Sequence, residues 1–164
     1  MNRHMIYKLG DNIDTDQIIA SQYLMLPGIE EMKKYAFETV DSGFAAKFIT
    51  GSCIVAGKNF GCGSSRERAP AVIKAMGASA VIAESFARIF FRNSINIGLV
   101  LIECPALYNE VSDGESLFIN LKESKIQHGS REYSFARYPG HVSEIIAAGG
   151  LIESINNKRM EAGQ

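Results

Sequence analysis

The stretch Cys53-Ile54-Val55-Ala56-Gly57-Lys58-Asn59-Phe60-Gly61-Cys62-Gly63-Ser64-Ser65-Arg66-Glu67 decides both the fold class and the place of the chemistry. Its first four residues are an unbroken apolar run, the pattern of a strand buried on both faces. Beyond it, Ala69, Val72, Ile73 and Met76 recur at helical spacing. Between strand and helix lie glycines, two adjacent hydroxyls and a guanidinium. Glycine lets the backbone approach a ligand closely, and amides opening a helix favour negative charge. The turn is therefore suited to hold an anion with hydroxyls beside it. A purely local reading competes: Ser64-x-x-Glu67 fits a capping box. Capping needs only one hydroxyl, and it does not need Arg66 in a first turn, where the helix dipole opposes a cation. Pro70 also sits awkwardly inside a helix that starts at Ser64, so the alternative is a regular helix starting near Pro70.

Outward from this turn the pattern is strand (52–57), glycine turn, helix (about 65–76), strand Ala80–Glu84, a helix carrying Phe86, Ile89, Phe90 and Ile97 with Ser85 as its expected cap, and strand Leu99–Glu103. That β-α-β-α-β order predicts parallel strands with right-handed crossovers. Upstream, Met5–Leu9 reads as a first strand. Asp14 reads as an Asx-type turn before a short strand at Ile18-Ile19. Ile29–Phe37 reads as an amphipathic helix and Phe44–Phe48 as a short one. Downstream, Ala106–Val111 reads as a short helix, and Leu117–Leu121, Lys125–Gln127 and Glu132–Phe135 as a mostly antiparallel set. His141–Ala148 reads as a closing helix stopped by Gly149-Gly150, Leu151-Ile152 as a last edge strand, and the chain from 156 as a polar, frayed tail. Without repeat or linker, residues 1–164 form one α/β domain.

Net charge is −1, with 46% hydrophobic and 21% charged residues, a globular composition without the basic footprint of a nucleic-acid or anionic-membrane binder. No apolar run reaches bilayer length and the N-terminal residues contain no secretory apolar region, so the expected compartment is the cytoplasm. Three cysteines, Cys53, Cys62 and Cys104, have no metal-ligand spacing, and the three histidines are scattered. Cys62, inside the glycine turn, is the one cysteine with a candidate reactive position. Asp14 and Asp16 are too few oxygen ligands for a hard cation, so no metal site is expected in this chain. Arg88, Arg92 and Asn93 read as solvated surface.

Two chemistries compete for the glycine turn. Gly61-x-Gly63-x-x-Arg66 with Glu84 about 20 residues on approximates a dinucleotide fingerprint, but Arg66 stands where a small residue is needed. The alternative is proton abstraction beside a carboxylate, with a serine as base and an arginine gripping the carboxylate bidentately. A serine needs strong electrostatic help and an electrophile for that work. With no ligand set here, the electrophile must come from a partner.

Gly61–Glu67, with Gly10-Asp11-Asn12-Ile13-Asp14-Thr15-Asp16-Gln17-Ile18-Ile19 and Ala83-Glu84-Ser85-Phe86-Ala87-Arg88-Ile89-Phe90-Phe91-Arg92-Asn93, resembles the small-subunit family of 3-isopropylmalate dehydratase in the aconitase superfamily. The resemblance spans about Gly10 to Ile152. It implies the swivelling domain of aconitase, a β/β/α sandwich, as a separate chain. It also implies a large-subunit partner, in a heterodimer or heterotetramer, that carries a 4Fe–4S cluster. By motif, Ser64 matches the alkoxide base, Ser65 and Arg66 match residues that bind the carboxylate of a small diacid, and Thr15 and Asp16 match an active-site pair. The implied reaction moves a hydroxyl between adjacent carbons by loss and return of water. Arg68 departs from the family's histidine. Tyr23-Leu24-Met25-Leu26 occupies the loop that selects the substrate side chain; being apolar, it suits an alkyl group, and homoaconitase-type and dimethylmalate-type reactions are the alternatives. A regulatory subunit without catalytic function is a further alternative.

Overall fold

The computed structural model describes residues 2–163, with β1 over Arg3–Lys8, followed by the single-turn helix α1 (Thr15–Ile18). A 3-10 turn (Ser21–Met25), α2 (Ile29–Met32), a second 3-10 turn (Lys33–Tyr35) and α3 (Phe44–Lys47) cover one flank. The crossover unit follows as β2 (Cys53–Ala56), α4 (Arg68–Ala75), β3 (Ala80–Ala83), α5 (Arg88–Asn96) and β4 (Leu101–Glu103). After α6 (Pro105–Tyr108) come β5 (Ser116–Asn120), β6 (Lys125–His128) and β7 (Arg131–Ser134), then α7 (Gly140–Ala148) and α8 (Leu151–Ala162).

All strands join one seven-stranded sheet in the order β4-β3-β2-β1-β5-β6-β7. β1 to β4 run parallel, and β5, β6 and β7 extend the sheet antiparallel from the other edge of β1. β2 and β3 are buried along their whole length, as their continuous apolar runs require. Because side chains alternate across a strand, β2 feeds two cores. Ile54 and Ala56 pack with Val72 and Ile73 of α4 and Phe90 of α5, while Cys53 and Val55 pack with Ile102, Leu107, Leu117 and Ile126. The second group mixes β4 with β5 and β6, so the antiparallel wing curls across the face opposite the helices. The Tyr138 hydroxyl, donating to the Leu101 carbonyl, ties the segment after β7 back to β4. Helices, parallel strands and antiparallel wing make the expected α/β layering.

Several local expectations are corrected. Ser64 caps nothing: regular helix starts at Arg68, and Glu67 as N-cap makes no side-chain bond. Pro70 is thus the third helical residue, where a missing N–H costs no helical bond. Ser85 does not cap α5; its hydroxyl accepts the Asn59 N–H at 2.8 Å, and the helix opens at Arg88 behind Ala87. Ile18 is helical rather than extended, because Asp14 and Gln17 form a reciprocal capping box that turns the chain. The expected helix over 29–37 is one α-turn passing into a 3-10 turn. Leu151-Ile152 is no edge strand and the polar tail is not frayed. Gly149, at φ +89°, closes α7, and the chain reverses into α8, where Lys158 pairs with Glu144 at 2.7 Å.

Gly61 has φ +80°, and a Cβ built there overlaps the Phe90 ring; Gly63 has φ +90° but its nearest neighbour would be 3.4 Å away. Gly61→Ala is expected to destabilise the fold by roughly 2–5 kcal/mol, the sum of left-handed strain and overpacking. Gly63→Ala is expected to cost only about 1–2 kcal/mol, the left-handed term alone. Urea denaturation of the two variants checks the order.

Candidate active site

The loop after β1 and the glycine turn after β2 lie at the carboxyl ends of neighbouring parallel strands, where α/β sheets present their ligand crevices. The two segments are laced together. Gly61 N–H donates to the Ile13 carbonyl at 2.7 Å, Thr15 N–H to the Cys62 carbonyl at 2.9 Å, and the Lys58 N–H to Asp11 Oδ1 at 2.8 Å. The buried Thr15 hydroxyl donates to the Ser64 carbonyl at 2.8 Å. This bond holds the backbone of Ser64 in place while its side chain stays exposed.

Arg66 is 16% exposed and reaches back across the same loop. Its Nη1 lies 2.6 Å from Asp16 Oδ1 and donates to the Ile19 carbonyl at 3.2 Å, and its Nη2 donates to Ser21 Oγ at 3.0 Å. Ser21 Oγ in turn donates to Asp16 Oδ1 at 3.0 Å. The Ser21 hydroxyl first, and the Arg66 guanidinium with it, hold the Asp16 carboxyl below the usual carboxylate range. Burial and the charge of Asp14 push the Cys62 thiol up, so the turn suppresses its thiolate. Burial pushes Cys53 up to about 12 and Cys104 upward as well. Among the described residues no three His, Cys, Asp or Glu side chains gather as a metal donor set.

Thr15, Ser64, Ser65 and Arg66 line a cavity of about 510 Å³, a size that suits a small ligand. Asp16 lies behind it, joined through Arg66. The opposite wall is α5, whose first turn has no side-chain cap and which contributes Arg88, Ile89, Arg92 and Asn93. Among the described residues no carboxylate lines the cavity, and Glu84, the acid a dinucleotide site would use, is not part of it. Arg88, Arg92 and Asn93 are the site residues that the sequence reading left on the surface. The signal was present: Arg88 opens a helix against its dipole, the same anomaly that singled out Arg66.

The segment Tyr23-Leu24-Met25-Leu26 stands next to this network but does not line the cavity. Tyr23 stacks on Tyr35, with centroids 4.0 Å apart and planes at 9°, and its hydroxyl donates to the Glu38 carboxylate. Leu24 and Leu26 pack on the main core, leaving Met25 90% exposed at the tip.

Residues 5–107 match the family described as the aconitase C-terminal domain. The 3-isopropylmalate dehydratase small subunit of Lachnospira eligens is 50% identical over 92% of this chain and 91% of its own length. The isopropylmalate/citramalate isomerase small subunit of Methanocaldococcus jannaschii is 43% identical over 96% and 95%. A crystal structure of the 3-isopropylmalate dehydratase protein from that organism superposes with a TM-score of 0.91 at 39% identity, covering 98% of this chain and 96% of the other. The capped loop after β1, the glycine turn after β2 and the basic wall of α5 thus sit on a shared backbone, and the chain belongs to the 3-isopropylmalate dehydratase small-subunit family of the aconitase superfamily.

Proposed function

We propose that this chain is the small subunit of a two-chain hydro-lyase that interconverts 2-isopropylmalate and 3-isopropylmalate by dehydration and rehydration, in the cytoplasm and in leucine biosynthesis. The observation that carries this reading is an exposed serine, held by its backbone, over a cavity lined by arginines and, among the described residues, by no carboxylate. Ser64 Oγ, as an alkoxide, takes the proton from the carbon beside a substrate carboxylate. The C–O bond to the neighbouring hydroxyl breaks, and an alkene forms. The alkene then turns over in the site, Ser64 gives its proton to the carbon that lost the hydroxyl, and water adds its hydroxyl to the carbon that lost the proton, which completes the isomerisation. The Arg66 guanidinium beside the turn lowers the cost of the alkoxide and of the charge that develops on the substrate carboxylate. Ser65 and Arg66 bind that carboxylate, and Thr15 and Asp16 position them.

Among the described residues no donor set for a cluster gathers. The partner, a large subunit in a heterodimer or heterotetramer, carries the 4Fe–4S cluster and with it the Lewis acid for the departing hydroxyl. An alkyl substituent meets Ile89, 58% exposed at the cavity wall, and the Tyr23–Leu26 segment, outside the cavity with Met25 exposed at its tip, selects it from the side of the partner. Apolar contacts separate alkyl groups only modestly. Citramalate is therefore a second substrate to test, as the name of the Methanocaldococcus relative invites.

Three outcomes follow from these assignments. In the complex with the large subunit, Ser64→Ala should lower kcat by on the order of 10²–10⁴ while the two chains still co-elute; turnover at the wild-type rate would remove the base from the scheme. Thr15→Val removes the bond to the Ser64 carbonyl and leaves that carbonyl unpaired, costing about 1–3 kcal/mol of stability. It should slow kcat roughly ten- to hundredfold with little change in KM, because Ser64 loses its register. The third outcome concerns pH. Asp16 has a lowered carboxyl pKa in the fold, so its contribution is full above its unfolded pKa and disappears as pH falls through the folded value. The Tm difference between wild type and Asp16→Asn should be flat between pH 6 and 8 and shrink towards zero in acid. A difference that instead grew in acid would contradict the pairing.

A further inference from the structure

Two guanidiniums on the wall facing the serine turn have no part in the proton transfer described above. Arg88 and Arg92 stand one helical turn apart on α5, both exposed and both lining the cavity. Among the described residues neither forms an ion pair. Arg66, the third guanidinium in the lining, is already committed to Asp16, Ile19 and Ser21. Glu103 shares a neighbouring hollow with Arg88 and Arg92 without pairing with either. Two like charges four residues apart on one helix face repel, and Arg88 also opposes the helix dipole. The cavity therefore holds two uncommitted positive charges at a cost to the helix, and a malate-type substrate brings a second carboxylate besides the one at Ser65 and Arg66.

We propose that Arg88 and Arg92 bind the substrate carboxylate remote from the carbon that loses its proton, and so set which carbon faces Ser64. This assignment rests on the diacid reading of the preceding subsection. It divides the work of the cations. Arg66, locked to the loop after β1, keeps one geometry relative to Ser64. Arg88 and Arg92, on a rigid helix across the cavity, supply the second anchor that a diacid needs in each of its two orientations, the carboxylates exchanging anchors when the alkene turns over. They are then the residues that discriminate a dianion from a monoanion, while the apolar surface beside them discriminates its alkyl group.

The test uses the reconstituted two-chain complex. Arg88→Gln, Arg92→Gln and the double variant are compared with Arg159→Gln, an exposed arginine on α8, as control. Each cavity variant should raise KM for 3-isopropylmalate by on the order of tenfold, as expected for loss of a charge-assisted hydrogen bond, with kcat changed far less. Arg159→Gln should leave both unchanged. An inhibitor series supplies the second readout. Converting one carboxylate of isopropylmalate to a carboxamide should weaken binding to the wild type and have little further effect on the double variant. An unchanged KM in an active complex overturns the assignment, as does a loss confined to association with the large subunit, which would place both arginines in the subunit interface. A wild-type complex that binds and converts no alkylmalate overturns the diacid reading and this inference together.

Discussion

The site depends on one constraint: the turn after β2 must keep a shape it has no regular structure to enforce. Gly61 and Gly63 both take positive φ, and Gly61 lies against Phe90 with no room for a side chain. The energy that holds this turn comes from outside it. The Gly61 amide on the Ile13 carbonyl, the Thr15 amide on the Cys62 carbonyl and the Thr15 hydroxyl on the Ser64 carbonyl form a short lacing between the loops that follow two adjacent parallel strands. Each such bond contributes about 1 kcal/mol net, but leaving one of these groups unpaired beneath the turn would cost more. The lacing therefore specifies a conformation more than it adds stability. Only the parallel register of β1 with β2, Ile6 opposite Cys53 and Lys8 opposite Val55, brings the two loops to the same end of the sheet.

The pairing of Arg66 with Asp16 extends the same logic to charge. Asp16 is 59% exposed, so the ion pair is solvent-screened and contributes little to stability. Its value lies in orientation. The guanidinium is planar and donates in fixed directions, and three acceptors (a carboxylate, a carbonyl and a hydroxyl) use one edge of it. Ser21, which accepts from Arg66 and donates to Asp16, is also the first residue of the 3-10 turn that carries Tyr23 and Leu24. One small network thereby couples the serine turn to the apolar segment beside it. The aromatic stack of Tyr23 on Tyr35 anchors the far side of that segment.

What was legible in the sequence followed periodicity, and what was not followed contacts. Cys53–Ala56 and Ala80–Ala83 read as buried strands because every position is apolar, and both feed two cores. The antiparallel wing read correctly from its alternation and turns. Ile18-Ile19 misled because two β-branched residues favour a strand locally, whereas the Asp14–Gln17 capping box wound Ile18 into a helix. Leu151-Ile152 misled for a related reason. What decides for α8 is its packing against α5 and α7 and the Lys158–Glu144 pair, none of which a short window can register. Ser64 and Arg66, which line the cavity, stood out by residue type and spacing. Arg88 and Arg92 were passed over because a basic residue on an amphipathic helix is ordinarily surface, and only the topology shows that this surface faces the serine.

The same topology explains why the cavity is cationic without any locally basic sequence. The net charge of the chain is −1, so the positive character of the site is a matter of arrangement rather than composition. α5 crosses over β3 and β4 and directs its first turn towards the mouth of the glycine turn, where the Phe60 and Phe86 backbones bridge and Ala87 N–H donates to the Phe60 carbonyl at 2.9 Å. That bridge sets where α5 begins and hence where Arg88 stands relative to Ser64. Phe60 packs edge-on against both Phe86 and Phe90, with centroids 6.0 and 5.4 Å apart, so the position of the basic wall is fixed by buried aromatic packing. Charges placed by a rigid core need not reorganise when an anion arrives, so the wall is preorganised for whatever anion the cavity takes.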